Sequence, residues 1–453
     1  MQARRSSRSC AFVAGRVFCL SKLDSFESRP MKTLLEAAPP SVERAVIDNW
    51  QAPPPSRSRA WRCQCGRPVF FRNSRCPGCG TPLGFVPETG SLLALEAGDA
   101  AGSWRAFGSA TRAAGAALYW RCSNLDSAAG CNWLVAATDA GEPGLALCRS
   151  CRLDRTLPDL TRKQHRLWWR RIELAKRRLV ASLITLGLPV ASRVEEDPAR
   201  GLAFDLLHED EAHARVLSGY RDGIVTLNIE EADEARRQRV RAVLHQPHRT
   251  LLGHLRHDIG HYYWQRLVAG GAWHAPFREL FGDERKDDAR TAQQLHAQQD
   301  SGDWAARHVS ALAVENPLED WAETFAHYLQ MADAIDTALG FGIDADNLEL
   351  RYEPFNEASL YRRRDADAAA FLGFVNRWME LTGVLNELAR SMGRPDFYPF
   401  VLSSDAVRKL HFVHLVILGT SGRSSRKVSP IGGGITGGSR TGTGLSAGDG
   451  GGS

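Results

Sequence analysis

The sequence lacks a long hydrophobic run. No uninterrupted apolar stretch in its 453 residues approaches the roughly 18 to 20 residues of a transmembrane helix, so we expect no membrane span. It also lacks a strong charge imbalance: 57 basic and 52 acidic residues give a formal net charge of +5, which does not by itself indicate a nucleic-acid partner. Hydrophobic residues at 43% and charged residues at 24% are typical of a soluble globular protein of two or three domains.

A clear secretion signal is also missing. The first residues are basic and then apolar, but Arg16 interrupts the apolar run and no clean cleavage site follows. We interpret residues 1–58 as a disordered or wrongly assigned extension, with translation beginning at Met31, and we expect a cytoplasmic protein. Residues 419–453 are rich in Gly, Ser and Thr without an apolar period, which predicts a disordered tail.

Cysteine is scarce and unevenly placed. Eight of the ten cysteines form two groups of four, and such spacing in a long chain favours metal over disulfides. The groups are Cys63, Cys65, Cys76 and Cys79, and then Cys122, Cys131, Cys148 and Cys151. Zn²⁺ needs four tetrahedral donors, and Gly66 and Gly80 suit the tight turns that would supply them. Residues 59–158 therefore predict a zinc-ribbon region with one or two structural zinc ions; the alternative is a set of reduced, buried cysteines.

The next segment predicts one long amphipathic helix. Gly187 and Pro189 end its apolar period, which consists of Leu167, Leu174, Leu179, Leu183 and Leu186. Basic residues between Arg162 and Arg178 either contact nucleic acid or form a solvated face, and we favour the solvated face. Two runs that resemble strands follow, at 201–207 and 223–229.

Two histidines four residues apart are the candidate centre of a metal site. On a helix, His257 and His261 lie on one face, one turn apart, so both imidazoles can bind one ion. Gly260, between them, costs about 1 kcal/mol relative to alanine in a helix, which indicates that another element packs closely there.

A catalytic zinc site needs a third protein ligand. The best source is a second helix on which Glu319, Glu323 and His327 share one face. We take Glu323 as the ligand and expect Glu319 or His327 to orient a metal-bound imidazole, although the exchange of Glu319 and Glu323 stays open.

These residues carry a resemblance to a known family. The chain resembles the glutamate-liganded zincin metallopeptidases, and more closely a bacterial family of zinc-binding metallopeptidases with an N-terminal zinc ribbon. The resemblance runs from about Trp61 to about Val416, through the ribbon cysteines and the segments IELAKRRL, GLAFDLL, VTLNIEEAD, RTLLGHLRHDIGHYYW, FGDER and EDWAETFAHYL. It implies a metal held by His257, His261 and Glu323, with the strand from Val225 to Ile229 as the edge that an extended peptide joins.

The chain departs from the family pattern at the catalytic base. The family has glutamate after the first histidine, where it takes a proton from the attacking water; this chain has Asp258. Aspartate is one methylene shorter, about 1.5 Å, and a displacement of about 1 Å can cost on the order of a hundredfold in rate. We therefore expect metal binding with attenuated catalysis. Candidate donors to the oxyanion are Tyr262, Tyr263, Tyr328 and His308.

The combined prediction is an α+β chain. Two zinc-ribbon-like modules precede a mainly helical zincin-like domain with a small sheet, at residues 159–418. The predicted function is zinc-dependent hydrolysis of a peptide or protein substrate, with no membrane partner. The alternatives are a catalytically impaired zinc protein that binds protein or nucleic acid, and a hydrolase that uses iron, nickel or manganese.

Overall fold

The computed structural model describes part of the chain. The described residues are 12–13, 16–17, 59–109, 117–138, 145–209, 215–243, 250–286, 294, 301–343, 350, 352–363 and 367–420. Almost all of the predicted extension at 1–58, and the predicted tail beyond residue 420, lie outside these residues. The chain divides into two compact units, Met1–Ala45 and Val46–Ser453. In the first unit, β1 (Phe12–Val13) and β2 (Arg16–Val17) form an antiparallel pair.

The cysteine-rich region consists of short antiparallel strands joined by turns. A first hairpin pairs β3 (Trp61–Arg62) with β4 (Pro68–Val69). A five-stranded antiparallel meander follows, with the strands in chain order. Its strands are β5 (Leu83–Val86), β6 (Ser91–Ala97), β7 (Trp104–Ala106), β8 (Tyr119–Arg121) and β9 (Leu134–Ala136). The prediction of an α+β chain, with a region of short segments around the cysteines before a mainly helical one, is confirmed.

A small mixed sheet lies in the second half. Its strands are β10 (Asp154–Thr156), β11 (Ala203–Leu207), β12 (Gly219–Arg221) and β13 (Ile224–Asn228). They are arranged in the order β10-β11-β13-β12, with β12 antiparallel to β13 and the other pairs parallel. The strands predicted at 201–207 and 223–229 are both present.

The edge of this sheet is not the predicted one. The expectation that the strand from Val225 to Ile229 forms the edge is wrong, because β13 has β11 on one side and β12 on the other. The chain reaches β13 from β12 through the turn at Asp222 and Gly223, a dipeptide typical of tight hairpins. Strand β12 therefore pairs with the side of β13 where a peptide was expected to bind, and β12 itself lies at the end of the sheet.

Helices make up most of the remainder. The described α-helices are α1 (Lys163–Thr185), α2 (Glu234–Val243), α3 (Leu251–Tyr263), α4 (His274–Phe281), α5 (Pro317–Gly340), α6 (Ala368–Ser391) and α7 (Ser404–Thr420). A π-helical turn, Trp264–Val268, continues α3. Single 3-10 turns lie at Ser123–Leu125, Cys151–Leu153, Ile229–Ala232, Asp303–Ala306, Leu312–Val314 and Glu357–Ser359. None of the helices among the described residues has the length and apolarity to cross a bilayer.

The ribbon region and the helical region share one hydrophobic core. Trp133 of the ribbon region, Trp169 of α1 and Trp321 of α5 are all fully buried in it. Helices α3 and α5 pack closely at Gly260, where an added Cβ would lie 2.8 Å from the Ala322 Cα. The close packing predicted at Gly260 is thus confirmed, and it brings the histidine helix against the acidic helix.

Candidate metal centre

Each helix of the site has a defined start. The Thr250 hydroxyl accepts a hydrogen bond from the Gly253 N–H and begins α3, seven residues before His257. The Asn316 side chain accepts from the Leu318 and Glu319 N–H groups and begins α5, with Pro317 in its first turn. Glu319 therefore lies in the first turn of α5, where the helix dipole favours a carboxylate.

The two imidazoles and one carboxylate converge. Nε2 of His257 is 3.1 Å from Glu319 Oε2, and Nε2 of His261 is 3.4 Å from Glu319 Oε1. One ligand atom from each of these three residues lies within 4.8 Å of the other two. A tetrahedral zinc site with bonds of about 2.1 Å has ligand–ligand distances of about 3.4 Å, and the two histidine–carboxylate distances are close to this value.

Glu323 lies behind the first histidine. Its Oε1 is 2.8 Å from Nδ1 of His257, the ring nitrogen opposite Glu319, and its Oε2 accepts a 2.6 Å hydrogen bond from the Ser310 hydroxyl. The geometry thus differs from the expectation that Glu323 is a ligand and Glu319 an orienting partner. The other expected orienting residue, His327, directs Nδ1 at the Tyr398 hydroxyl, 2.8 Å away.

The carboxylates control the charge of the first histidine. Burial lowers the pKa of His257, but the hydrogen bonds to Glu319 and Glu323 outweigh it and raise the pKa to about 10. Burial raises the pKa of Glu323, yet His257 holds it down at about 2, and the pKa of Glu319 is lowered for the same reason. The cluster is therefore built for a cation, which can be a proton or a metal ion.

Asp258 is buried beside this cluster. Its Oδ2 lies 3.4 Å from Nε2 of His254, one turn earlier in α3. Among the described residues this oxygen has no hydrogen-bond partner of good geometry. A buried carboxylate oxygen without a partner is costly. The polar atom that this oxygen faces is the Nε2 ring nitrogen of His254.

The four candidate oxyanion donors differ in their partners. Tyr262 donates to the Arg200 carbonyl, Tyr263 donates to the Pro189 carbonyl, and the Tyr328 hydroxyl contacts Nδ1 of His414. Nδ1 of His308 lies 3.2 Å from Asp320 Oδ2, and the His308 side chain is 20% exposed. The three tyrosine hydroxyls are therefore held within the core packing, and His308 is the accessible one of the four.

Sequence reasoning missed two residues that touch the cluster. Ser310 binds Glu323, and nothing in the sequence near it signals that contact. Tyr220 of β12 stacks on the ring of His261 with centroids 6.4 Å apart and planes 9° apart. The hairpin signal at Asp222 and Gly223 would have placed Tyr220 on a strand, although not on the histidine.

Both cysteine groups converge as well. In the first, Sγ of Cys63 lies 3.6 Å from Sγ of Cys79, and Cys65 lies 3.7 Å from Cys76. A tetrahedron of about 2.3 Å zinc–sulfur bonds has edges of about 3.8 Å, which matches these distances and exceeds a disulfide bond. The positive φ expected at Gly66 and Gly80 is confirmed, at 81° and 73°. Cys65 and Cys79 are exposed, so this group lies at the surface.

The second group is enclosed. Cys122, Cys131, Cys148 and Cys151 are all buried, and Cys131 Sγ lies 3.6 Å from Cys148 Sγ. Burial raises the pKa of the Cys148 thiol well above its ordinary value. All eight cysteines are free thiols, so both groups fit closed four-sulfur zinc sites.

Comparisons with known proteins agree with this arrangement. A family described as "Putative zinc-binding metallo-peptidase" matches residues 165–416, and a zinc-ribbon domain matches residues 60–162. Uncharacterized proteins of Mycobacterium bovis and Mycobacterium tuberculosis are each 37% identical over 361 residues, which is 79% of this chain and 95% of theirs. No solved structure matches the chain. The chain therefore belongs to this family of zinc-binding metallopeptidases and carries a zinc ribbon in front of the peptidase region.

Proposed function

We propose that the chain is a zinc-dependent peptidase whose catalytic ion is held by His257, His261 and Glu319. The observation that carries the proposal is the placement of one Glu319 oxygen near Nε2 of each histidine, 3.1 and 3.4 Å away. Glu323 then orients the ring of His257 through Nδ1, since a carboxylate at that nitrogen fixes a ligand ring and increases its basicity. This proposal exchanges the roles that the sequence suggested for the two glutamates.

Each remaining residue has a defined role in this mechanism. Bound zinc supplies a Lewis acid that polarises the scissile carbonyl and lowers the pKa of water. The Asp258 carboxylate accepts a proton from the attacking water and returns it to the leaving amine. His308, held by Asp320 at Nδ1, donates to the oxyanion that develops on the substrate carbonyl.

The substrate that we propose is an extended peptide. Strand β12 is one of the two edge strands of the mixed sheet, and its Tyr220 stacks on His261. A peptide that adds to this edge would receive main-chain hydrogen bonds beside the metal helix. The domain limits at 59–158 and 159–418 stay a prediction. We further propose three zinc ions per chain, one in each cysteine group and one at the histidine site.

A matched pair of variants tests the ligand set. We expect three zinc ions in the purified wild-type protein by elemental analysis, and two in Glu319→Gln. Glu323→Gln is expected to keep the third ion with an affinity about 10 to 100 times lower, because only the orienting contact is lost. Loss of the third ion from Glu323→Gln, with retention in Glu319→Gln, would restore Glu323 as the ligand.

Activity is tested separately with a broad peptide library. We expect slow cleavage by the zinc-loaded wild-type protein, no cleavage by His257→Ala, and faster cleavage by Asp258→Glu. The shorter side chain of Asp258, compared with glutamate, favours one alternative, a metal protein that binds partners without cleaving them. Cleavage by Asp258→Glu but not by the wild-type protein would support that alternative. Iron, nickel or manganese in the native protein would instead indicate a different hydrolase.

A further inference from the structure

His254 connects the candidate catalytic base to a second carboxylate. The His254 side chain is buried, with Nε2 3.4 Å from Asp258 Oδ2. On its other side, Nδ1 contacts Oε2 of Glu231 directly. Glu231 belongs to the 3-10 turn Ile229–Ala232, which follows β13. Three side chains from two elements thus form a continuous polar chain that ends at the residue next to His257.

The arrangement fits orientation of the Asp258 carboxylate. A histidine ring donates from both nitrogens only in its imidazolium form, the form that two facing carboxylates favour, and the contact with Glu231 limits rotation of the ring. His254 and Asp258 are four residues apart on α3, so helical geometry itself brings the ring to the carboxylate. With the ring held, Nε2 has a defined position toward Oδ2, which has no hydrogen bond of good geometry among the described residues.

We propose that His254, oriented by Glu231, is a positioning residue for the carboxylate of Asp258. The inference rests on the proposed peptidase function and deepens it, because it assigns Asp258 Oδ2 to His254 and leaves Oδ1 for the attacking water. Since the aspartate side chain reaches about 1.5 Å less far toward the water than a glutamate would, its orientation decides whether the reach is sufficient. A catalytic group that is not held in place loses rate steeply with displacement.

Two substitutions at His254 distinguish the contribution of Nε2 from that of Nδ1. In His254→Gln the side-chain amide takes the position of Nε2 and keeps a donor toward Asp258. In His254→Asn the amide takes the position of Nδ1, which keeps the contact with Glu231 and removes the donor to Asp258. Neither variant alters a proposed metal ligand, so both are expected to bind three zinc ions like the wild-type protein.

Peptide cleavage by the zinc-loaded proteins is the first measurement. We expect kcat to fall about tenfold or more in His254→Asn with KM within about twofold, because a base is misplaced while substrate binding is intact. His254→Gln is expected to retain kcat within about threefold of the wild-type value. Equal kcat values in the two variants would overturn the inference, because the loss would then not depend on the donor to Asp258.

A second measurement does not depend on activity. In protein labelled with ¹⁵N-histidine, we expect the Nε2–H proton of His254 to be protected from exchange with water, and to lose that protection in Asp258→Ala. The same proton should stay protected in the control Glu319→Gln. Protection that is unchanged in Asp258→Ala would overturn the inference. A wild-type protein that cleaves no peptide but shows the coupling would refute the proposed function and support the contact between His254 and Asp258.

Discussion

The ring of His257 is held between two carboxylates, one at each nitrogen. In the protein without zinc, a proton takes the position of the cation, which is why the pKa of this histidine rises to about 10 from an ordinary value near 6.5. A group whose pKa is raised on folding stabilises the protein below its unfolded pKa, and this contribution disappears as the pH rises through the folded pKa.

Metal-stripped protein should therefore lose stability between about pH 6.5 and pH 10. The measurement is the difference in free energy of urea unfolding between wild-type and Glu319→Gln protein, both treated with chelator, across this range. Since both lack the ribbon metals, the difference isolates the histidine site. We expect the difference to shrink as pH rises; a constant difference would contradict the proposed proton occupancy.

The packing of helix α3 against helix α5 sets the distances between the histidines and the glutamates of the site. At Gly260 the two helices leave no room for a side chain, because an added Cβ would meet the backbone of Ala322 at 2.8 Å. The Trp321 indole N–H also donates to the Gly260 carbonyl, at 2.9 Å. Backbone atoms cannot move aside as a flexible side chain can, so the two helices would have to separate.

We expect Gly260→Ala to destabilise the protein by about 1–3 kcal/mol and to weaken binding of the third zinc ion. Gly253→Ala, in the same helix, is the matched control. There the added Cβ meets one hydroxyl oxygen, that of Thr250, at 3.2 Å, and alanine gains helix propensity. Thermal unfolding and zinc titration of the two variants test the prediction, and equal effects would contradict it.

Helix α1 supplies a buried cation to the enclosed cysteine group. Arg177 is buried and donates to the Ala129 carbonyl at 3.1 Å, inside the loop between Cys122 and Cys131. Burial lowers the pKa of Arg177, but the charges of Cys131 and its neighbours outweigh this effect and raise it. A zinc ion with four thiolates carries net negative charge, so Arg177 offsets charge that would otherwise be buried alone.

Arg177→Met should therefore release zinc from the second cysteine group faster, by about tenfold in a chelator competition. Arg170→Met, on the exposed face of the same helix, should leave the release rate unchanged. The first cysteine group, at the surface, should release its zinc at the same rate in both variants. A uniform change at both groups would indicate general unfolding and refute the specific role of Arg177.

Asp333 forms ion pairs with residues from three distant parts of the chain. This buried carboxylate of α5 contacts Arg59 from the segment before β3, Arg178 from α1 and Arg256 from α3. Burial raises its pKa, but the three guanidinium groups outweigh this effect and lower the pKa to about 2. A carboxylate with a lowered pKa stabilises the fold above its unfolded pKa and loses that contribution as the pH falls through the folded pKa.

Asp333→Asn should cost about 3–5 kcal/mol at neutral pH, because it leaves buried guanidinium charge unpaired. The loss relative to the wild type should diminish between about pH 4 and pH 2, where the wild-type carboxyl takes up its proton. Asp336→Asn, which breaks only a more exposed contact with Arg59, is the control and should cost less than half as much. Equal costs in urea unfolding would contradict this role of Asp333.

Several features of the molecule could be predicted from local pattern alone. Cysteine spacing predicted the two four-sulfur groups, and the 3.6-residue period with Gly187 predicted α1. The four-residue interval placed His257 and His261 on one helical face, and Gly260 between them predicted a close neighbour. These features depend on residues that are close in the chain, so short-range geometry is enough to define them.

Two residues on the same face of a helix cannot be told apart by their spacing, so only the tertiary structure shows which of them meets a given partner. Glu319 and Glu323 share one face of α5, and the position of α3 decides that Glu319 faces Nε2 of both histidines while Glu323 faces Nδ1 of His257. Likewise, the alternation of apolar and polar residues predicts a strand at 223–229 but does not show that β12 pairs with it on the side opposite β11. Sequence alone thus determined which types of side chain the cluster contains and which helices carry them. The packing of distant elements decided which atoms meet, because helix and strand periods carry no information on what approaches a face.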